Sequence, residues 1–346
     1  MDRGPRRALD ATRAIKEVAK VGKRHLGALG LVLAVLATAC SSGGGGAGGG
    51  AASPAASASP GASAAAKATC ASKKVTIAVP VTPPNVVHLT PYVADAFGYF
   101  RDENLTAELI RFEGGVGSLR ASASGAIDLA GTSSEPVIDG KVMGVQEPGG
   151  FADVMTRIIL RKAGIDPKEV TFLQTTTAGR VQALATGNAD TAVLHIDQVK
   201  TAQKANPQIA VLANMWEVLT DYQYAVYVAP TQTLKDDPTT TECIVRALMR
   251  ANRAMYDPAN RTKIVDLGVQ QTKADRDVVE STFDLLVKAK AWPQNEGVPK
   301  ANIEGTIKSE KDFGKITKDL KFEDVTDLSI VKKVIAQLGG VKDFPY

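Results

Sequence analysis

The chain has 346 residues, of which 44% are hydrophobic and 23% charged, and its formal net charge is +4. Of its 41 Lys/Arg and 37 Asp/Glu, eight and three lie in residues 1–25, which leaves 33 and 34 for the remainder. The basic excess therefore belongs to the N-terminus, and the rest shows no Lys/Arg stripe of the kind expected for nucleic-acid binding.

Residues 1–39 have the pattern of a secretory signal peptide. A basic region is followed by an apolar run from Leu26 to Ala39, which ends in small residues. At ~1.5 Å per residue this run spans only ~21 Å, short of a ~30 Å bilayer core. We therefore expect it to be removed rather than kept as a transmembrane helix.

Cys40 follows this run directly. The segment Leu36–Cys40 resembles the bacterial lipobox, whose cysteine is diacylated and becomes the mature N-terminus. Two acyl chains supply the double signal that stable membrane anchoring needs. A plain signal peptide with an incidental cysteine is the alternative. Residues 41–69 contain only Gly, Ala, Ser, Pro and Thr apart from Lys67, so residues 40–72 are predicted to be a disordered tether.

The folded part, residues 73–346, is long enough for two domains. Short β-branched runs alternate in it with helical segments, which predicts an α/β fold with largely parallel sheets. The predicted strands are Val75–Val79, Ala107–Phe112, Leu129–Gly131, Val142–Gln146, Val170–Gln174, Thr191–Leu194, Ile209–Ala213 and Tyr224–Val228.

Helices are predicted where apolar residues recur every three or four positions. Phe151–Ala163 shows this spacing, and Gly164 stands where a C-terminal cap glycine belongs. Further helices are predicted at Cys243–Met255 and Asp275–Ala289. Cys70 and Cys243 could pair in an exported chain, or one of them could be a buried thiol. Too few cysteines and histidines remain for a structural zinc site.

A four-residue pattern occurs twice in the chain. Glycine, alanine, glycine and aspartate follow one another at offsets 0, 4, 8 and 11, first as Gly117, Ala121, Gly125 and Asp128 and again as Gly179, Ala183, Gly187 and Asp190. In each copy we expect a helix that lies close to a sheet, a capping glycine and a following strand. The repeat indicates two similar α/β lobes.

The segments Lys73–Pro80, Pro91–Phe100 and Gly144–Asp153, together with this repeat, resemble ABC-importer substrate-binding proteins. The branch is the one that binds nitrate, sulfonates such as taurine, and thiamine pyrimidine precursors. The resemblance implies a two-lobed, type II periplasmic-binding-protein-like fold with a ligand cleft between the lobes. It also implies a monomer that delivers its solute to a permease driven by a separate ATPase.

On this basis we expect lobe one to comprise residues 73–140 and 229–346, and lobe two residues 141–228. The chain departs from the family pattern at Glu135–Gly144, which runs almost directly from one lobe into the next. We therefore expect the first hinge crossing to be shortened.

The candidate binding residues lie in loops that follow strands and precede helices, where α/β proteins bind ligands. A free helix N-terminus favours an anion or a polar oxygen. For each Ser or Thr the alternative is ordinary N-capping; for His195 and Trp216 it is a structural role. The candidates are Pro83, Asn85, Thr132, Ser133, Ser134, Gly149, Gly150, Phe151, Ala152, Thr175, Thr176, His195 and Trp216.

The sequence lacks the motifs of common enzyme classes, including Gly-x-Ser-x-Gly, His-Glu-x-x-His and the Walker loop. We therefore expect binding of a small polar or anionic solute without chemistry, cofactor or metal. Two alternatives remain open at this stage. One is a fold-related enzyme of cofactor biosynthesis, and the other is a ligand sensor that is not coupled to transport.

Overall fold

The computed structural model describes residues 69–133, 150–162, 165–170, 172–212, 214–219, 221–342 and 344. Several sequence predictions lie outside these residues: the signal peptide, Cys40, residues 40–68 of the tether, the strand Val142–Gln146, the shortened hinge and the cap at Gly164. Within the described residues, no helix combines the length and apolarity needed to cross a membrane.

Four strands form one mixed sheet in the order β2-β1-β3-β4. The strands are β1 Lys73–Val79, β2 Leu105–Arg111, β3 Leu129–Ser133 and β4 Ala225–Val228. β1 runs parallel to β2 and β3, whereas β4 returns antiparallel to β3 with Ala130 opposite Val228. Four predicted strands are thereby confirmed, including Tyr224–Val228, which arrives from a distant part of the chain.

Helices make up most of the remaining regular structure. Among the described residues they are α1 Thr90–Ala96, α2 Gly115–Ala123, α3 Phe151–Lys162, α4 Thr177–Ala185, α5 Ile196–Ala205, α6 Met215–Val218, α7 Thr231–Asp236, α8 Pro238–Ala254, α9 Arg261–Thr272, α10 Arg276–Lys288, α11 Lys300–Asp312, α12 Phe322–Val325 and α13 Ser329–Leu338. Short 3-10 turns occur at Val86–His88, Arg101–Glu103, Pro167–Glu169 and Pro258–Asn260.

The predicted helices are confirmed as α3, α8 and α10, with one boundary displaced. α8 begins at Pro238, five residues before the predicted start, because Asp237 caps it by accepting a hydrogen bond from the Thr240 N–H at 3.0 Å. Proline is favourable at the first helical position, where its missing N–H has no intrahelical partner. The start of α8 therefore lies beside β1, where Lys73 pairs with Asp237 at 2.8 Å.

The main hydrophobic core lies between the sheet and helices α1, α8, α9 and α10. It contains Ile77 and Leu105 from the strands and Ile244 and Phe283 from the helices, all nearly inaccessible to solvent. A disulfide joins Cys70, just before β1, to Cys243 on α8. Of the two alternatives left by the sequence, the structure has the paired one.

One charged group is enclosed in this core. The Arg246 guanidinium donates to Glu103 at 2.6 Å and to Glu242 at 3.0 Å, and it also contacts Gln337 of α13. A buried charge is tolerated only when it is paired and hydrogen-bonded. The network therefore ties α8 to the turn before β2 and to the C-terminal helix.

Three predicted strands are wrong. The described residues of Val170–Gln174, Thr191–Leu194 and Ile209–Ala213 form no strand. The side chains of Leu173, Val211 and Leu212 are 56%, 50% and 52% exposed. A β-branched run becomes a strand only where another strand pairs with its backbone and a packed layer covers its side chains. In these three segments the described residues pair with no strand, and the side chains named above are exposed.

The repeated pattern corresponds to two equivalent nine-residue helices, α2 and α4. Both are followed by a glycine in the left-handed region, Gly125 at φ +76° and Gly187 at φ +75°. The copies then diverge. Asp128 accepts hydrogen bonds from the Thr76 N–H and hydroxyl at 2.7 and 2.8 Å and so joins β3 to β1, whereas Asp190 is exposed and no strand follows it in the part of the chain described.

Candidate functional site

A cleft opens where the C-terminal ends of β1 and β3 face the segment 150–222, which carries α3 to α6. The described residues around it leave a cavity of about 70 Å³. It is lined by Pro80, Val81, Gly114, Gly115, Val116, Ser133, Gly150, Phe151, Ala152, Asp153, Thr177, Arg180, His195 and Tyr224.

Three helices begin at this cleft. The first residues of α2, α3 and α4 are Gly115, Phe151 and Thr177, and all three line the cavity. The first N–H groups of a helix have no intrahelical acceptor, and the helix dipole places partial positive charge at the same end. The three N-termini therefore make the cleft a suitable environment for an anion.

Close backbone packing brings α2 to the cleft. A Cβ atom at Gly115 would lie 2.7 Å from the Thr132 hydroxyl oxygen and 3.0 Å from the Ser133 backbone nitrogen. The hydroxyls of Thr132 and Ser118 donate to the carbonyls of Gly115 and Gly131 at 2.9 and 2.7 Å. These bonds hold the start of α2 against the end of β3.

Arg180 is the basic side chain of the cavity wall. It lies on α4, one turn after Thr177, and burial lowers the pKa of its guanidinium. Its Nε atom is buried without a hydrogen-bond partner. The Arg180 side chain forms no ion pair with any described residue. The nearby Asp153 carboxylate is instead bonded to Arg157 at 2.8 Å. A partly desolvated guanidinium in this state favours an anionic partner in the cavity.

Aromatic rings close the opposite wall. The Tyr224 and Phe151 rings meet edge to face, with centroids 4.7 Å apart, and the His195 ring stacks on Phe151 at 6.2 Å. His195 Nε2 lies 2.6 Å from the Tyr224 hydroxyl oxygen, and His88 Nε2 lies 3.3 Å from the same oxygen.

Both imidazoles titrate below the ordinary range. Burial, together with a smaller effect of the neighbouring His195, lowers the pKa of His88 to about 3. Burial also lowers the pKa of His195, with Arg180 acting in the same direction and Asp197 opposing it. Near neutral pH, Arg180 is therefore the cationic side chain among the described residues that line the cavity, and the rings beside it are uncharged.

Five of the sequence candidates line the cavity: Ser133, Gly150, Phe151, Ala152 and His195. Thr132 is buried behind it, and Asn85 is buried with its amide donating to Asp197 at 3.3 Å. The Thr176 hydroxyl caps α4 by accepting from the Gly179 N–H at 3.0 Å.

Three further candidates do not line the cavity. Pro83 is exposed, Trp216 is 55% exposed, and Thr175 lies outside the lining. Ser134 and Gly149 are outside the described residues.

Sequence reasoning missed Arg180 and Tyr224. Arg180 looks like an ordinary surface residue of a short helix, and its one signal is its spacing of three from Thr177, which places both on one helix face. Tyr224 was read only as the first residue of a strand. Its hydroxyl reaches the cleft because β4 returns beside β3, and nothing in the local sequence shows that pairing.

Comparisons with known proteins agree with this architecture. The family model described as NMT1/THI5 like matches residues 138–261. A structure from Bordetella bronchiseptica RB50 superposes with a TM-score of 0.63 at 18% identity, covering 77% of this chain and 98% of that one. No curated protein sequence matches the chain.

Two further solved structures, both of binding proteins, are similar to the chain. The ligand-binding component of an ABC-type import system from Staphylococcus aureus, with zinc bound, has a TM-score of 0.62 at 15% identity, covering 76% of this chain and 99% of that one. The periplasmic aliphatic sulphonate binding protein SsuA from Escherichia coli has a TM-score of 0.56 at 15% identity, covering 73% and 92%. The chain thus has the periplasmic-binding-protein fold, and the predicted fold class and the resemblance to ABC-import binding proteins are confirmed.

Proposed function

We propose that this protein is the solute-binding subunit of an ABC-type importer and that it captures a small anion in the cleft at Arg180. The observation that carries the proposal is this guanidinium, which has no ionic partner among the described residues and faces a cavity where three helices begin. The solute-binding proteins that share the fold support the transport role.

The physical argument for an anion rests on charge and size. A guanidinium binds planar or tetrahedral oxyanions through paired N–H donors, and each helix N-terminus adds roughly 0.3–1 kcal/mol. One water molecule needs about 10–15 Å³ of this volume, so a cavity of 70 Å³ holds about five to seven water-sized groups. A sulfonate or nitrate-like group fits this space. The rings of Phe151 and Tyr224 support a pyrimidine precursor as the second candidate.

The proposal has an architectural part. Residues 73–140 and 229–346 would form lobe one and residues 141–228 lobe two. The return of β4 to the sheet and the position of the cleft support this division. The protein would act as a monomer, lipid-anchored at Cys40 on the outer face of the cytoplasmic membrane, and would bind solute without chemistry, cofactor or metal. Its partners would be the permease and its ATPase.

Binding can be tested by thermal shift and calorimetry with ethanesulfonate, taurine, nitrate, sulfate and a hydroxymethylpyrimidine. A ligand at 100 times its Kd stabilises the folded state by about 2.7 kcal/mol. Arg180→Gln should weaken binding by roughly 10- to 150-fold, because a hydrogen bond to a charged group contributes about 1.5–3 kcal/mol. Arg120→Gln is the matched control, since Arg120 is exposed in the last turn of α2 and lies outside the cavity.

The outcomes separate the alternatives. Binding that Arg180→Gln leaves unchanged would place the site elsewhere. A folded protein that binds none of the anions but binds the pyrimidine would favour the second candidate. Turnover of any of these compounds would identify the chain as an enzyme. If the protein binds a solute but cells that also contain its permease and ATPase do not take that solute up, a sensor would be favoured.

A further inference from the structure

Three distant segments meet at one hydroxyl group. His88 lies on the turn Val86–His88 after β1, His195 caps α5, and Tyr224 precedes β4. The Tyr224 hydroxyl oxygen lies 2.6 Å from His195 Nε2 and 3.3 Å from His88 Nε2. We call these three residues the His–Tyr–His chain.

The neighbouring bonds determine where the hydrogens lie. The Gln198 amide nitrogen donates to the Thr177 carbonyl at 3.4 Å, which turns Gln198 Oε1 toward His195. This oxygen accepts from the His195 backbone N–H at 3.0 Å and lies 3.3 Å from His195 Nδ1, so Nδ1 carries the hydrogen. His195 Nε2 then accepts from the Tyr224 hydroxyl, whose oxygen accepts from His88 Nε2–H.

This arrangement requires both imidazoles to be neutral. His88 Nδ1 is buried with no hydrogen-bond partner, so a proton added there would have no acceptor. A proton added to His195 Nε2 would displace the hydroxyl hydrogen of Tyr224. Protonation at either ring therefore breaks the chain or leaves a buried donor unsatisfied.

Two charged side chains among the described residues face the rings. Arg180 of α4 and Asp197 of α5 face His195, and His195 itself faces His88. Asp197 is already engaged by the Val86 N–H and the Asn85 amide, each at 3.3 Å. Helix α10 also packs against the turn, and its buried side chains, such as Val279, are uncharged. A new positive charge on His195 would be repelled by Arg180, and the one carboxylate that opposes this effect, Asp197, is already hydrogen-bonded.

We propose that the His–Tyr–His chain is an acid-sensitive latch that holds the turn Val86–His88 against α5 and closes the cleft only while both imidazoles are neutral. Under the proposed division the turn belongs to lobe one and α5 to lobe two, so a contact between them would hold the two sides of the cleft together. The consequence for solute binding rests on the proposed function, but the latch itself can be tested without any solute.

The direction of the pH effect follows from linkage. In an open cleft His88 would titrate near the ordinary value of about 6.5. In the latched state its pKa is about 3. The open state therefore binds more protons between these values, and latching is favoured above about pH 6.5 and lost as the pH falls. If opening takes up one proton, the equilibrium constant for latching falls by up to tenfold for each pH unit.

Trp292 provides a solute-free readout. Its indole N–H donates to the Val87 carbonyl at 3.0 Å, within the turn that carries His88. The chain has one other tryptophan, the exposed Trp216, so Trp216→Phe leaves Trp292 as the single indole. In this variant we expect an emission change between pH 6.5 and 3 while the far-UV circular dichroism stays constant.

His88→Gln in the Trp216→Phe background is the decisive variant, because glutamine keeps an N–H donor near the position of Nε2 and does not titrate. It should remove the part of the emission change that comes from His88 and leave only the part that comes from His195. Tyr224→Phe keeps the ring and removes both bonds, so it should move the midpoint to higher pH. Emission that is flat down to pH 4 in the folded protein would overturn the latch, as would an unchanged transition in a folded His88→Gln variant or an unmoved midpoint in Tyr224→Phe.

Solute affinity supplies the second arm. Nitrate and ethanesulfonate stay ionised throughout this range, so any pH dependence of their Kd belongs to the protein. We expect the Kd to rise as the pH falls below about 6.5, by up to tenfold per pH unit for one proton, and to rise less steeply in His88→Gln. A Kd that is constant in the parent protein would contradict the latch. If neither anion binds at any pH, the anion proposal fails, and the Trp292 emission still decides the latch.

Discussion

At the scale of single residues, the cleft depends on a backbone contact that only glycine permits. Gly115 begins α2 against the end of β3, where a Cβ atom would lie 3.0 Å from the Ser133 backbone nitrogen. Backbone atoms cannot move aside as a flexible side chain can. The position of this helix N-terminus, and with it the N–H groups that face the cavity, is therefore fixed by the absence of one methyl group.

Gly115→Ala should accordingly lower the free energy of unfolding by roughly 1–3 kcal/mol, the usual cost of overpacking, and should weaken solute binding. Gly117→Ala is the control. Its Cβ would meet only the edge of the Phe112 ring, at 3.2 Å, and alanine is favoured over glycine inside a helix by about 1 kcal/mol. Chemical denaturation and calorimetry measure both effects. Equal stability of the two variants would show that the backbone at Ser133 can yield.

At the scale of elements, α2 and α4 are two copies of one helix ending. Gly125 and Gly187 adopt nearly the same left-handed φ, and a Cβ at either would meet nothing within 4 Å. The requirement for glycine is therefore conformational and does not come from packing. It explains why the same residue recurs at the same offset although β3 follows α2 directly and the described residues directly after Asp190 form no strand.

Gly125→Ala and Gly187→Ala should each lower the free energy of unfolding by roughly 1–2 kcal/mol, the cost of a left-handed alanine. Asparagine, which tolerates this region, should cost less at both sites. Urea titration of the four variants tests the equivalence. If alanine at one site were neutral, its helix would end differently from its counterpart.

At the scale of the whole molecule, the N-terminal sequence pattern predicts where in the cell the protein lies. The apolar run and the small residues before Cys40 predict a lipid anchor, and residues 41–69 predict a tether. Treated as a flexible coil, such a tether spans roughly 30 Å root-mean-square. A binding protein held this way could exchange between free solute and a membrane-embedded permease.

Expression of the full chain in a bacterium supplied with a palmitate analogue tests the anchor. The parent protein should incorporate label and sediment with membranes, whereas Cys40→Ala should do neither. Because Cys40 precedes residues 73–346, which the sequence predicts to fold, its substitution should leave the melting temperature of that part unchanged. Labelling that survives the substitution would locate the anchor at another residue.

Much of the sheet and most of the long helices could be predicted from local sequence. β1, β2 and β3 were recognisable as short apolar runs followed by proline, glycine or serine, and α8 because apolar residues recur at helical spacing from Cys243 to Met255. The strands predicted around Leu173 and Val211 were wrong. A β-branched run forms a strand only if another strand pairs with it, and the local sequence does not show whether such a partner exists.

The sequence by itself determined the export pattern, the fold class and five residues of the cavity wall: Ser133, Gly150, Phe151, Ala152 and His195. These follow from short-range signals, which act through backbone preference and helix capping. Only the tertiary structure placed Arg180 and Tyr224 at the cleft, paired Cys70 with Cys243, and joined His88 to His195 through one hydroxyl group. Such contacts link residues from about 30 to more than 150 positions apart, and burial and strand pairing, which create them, are properties of the assembled fold.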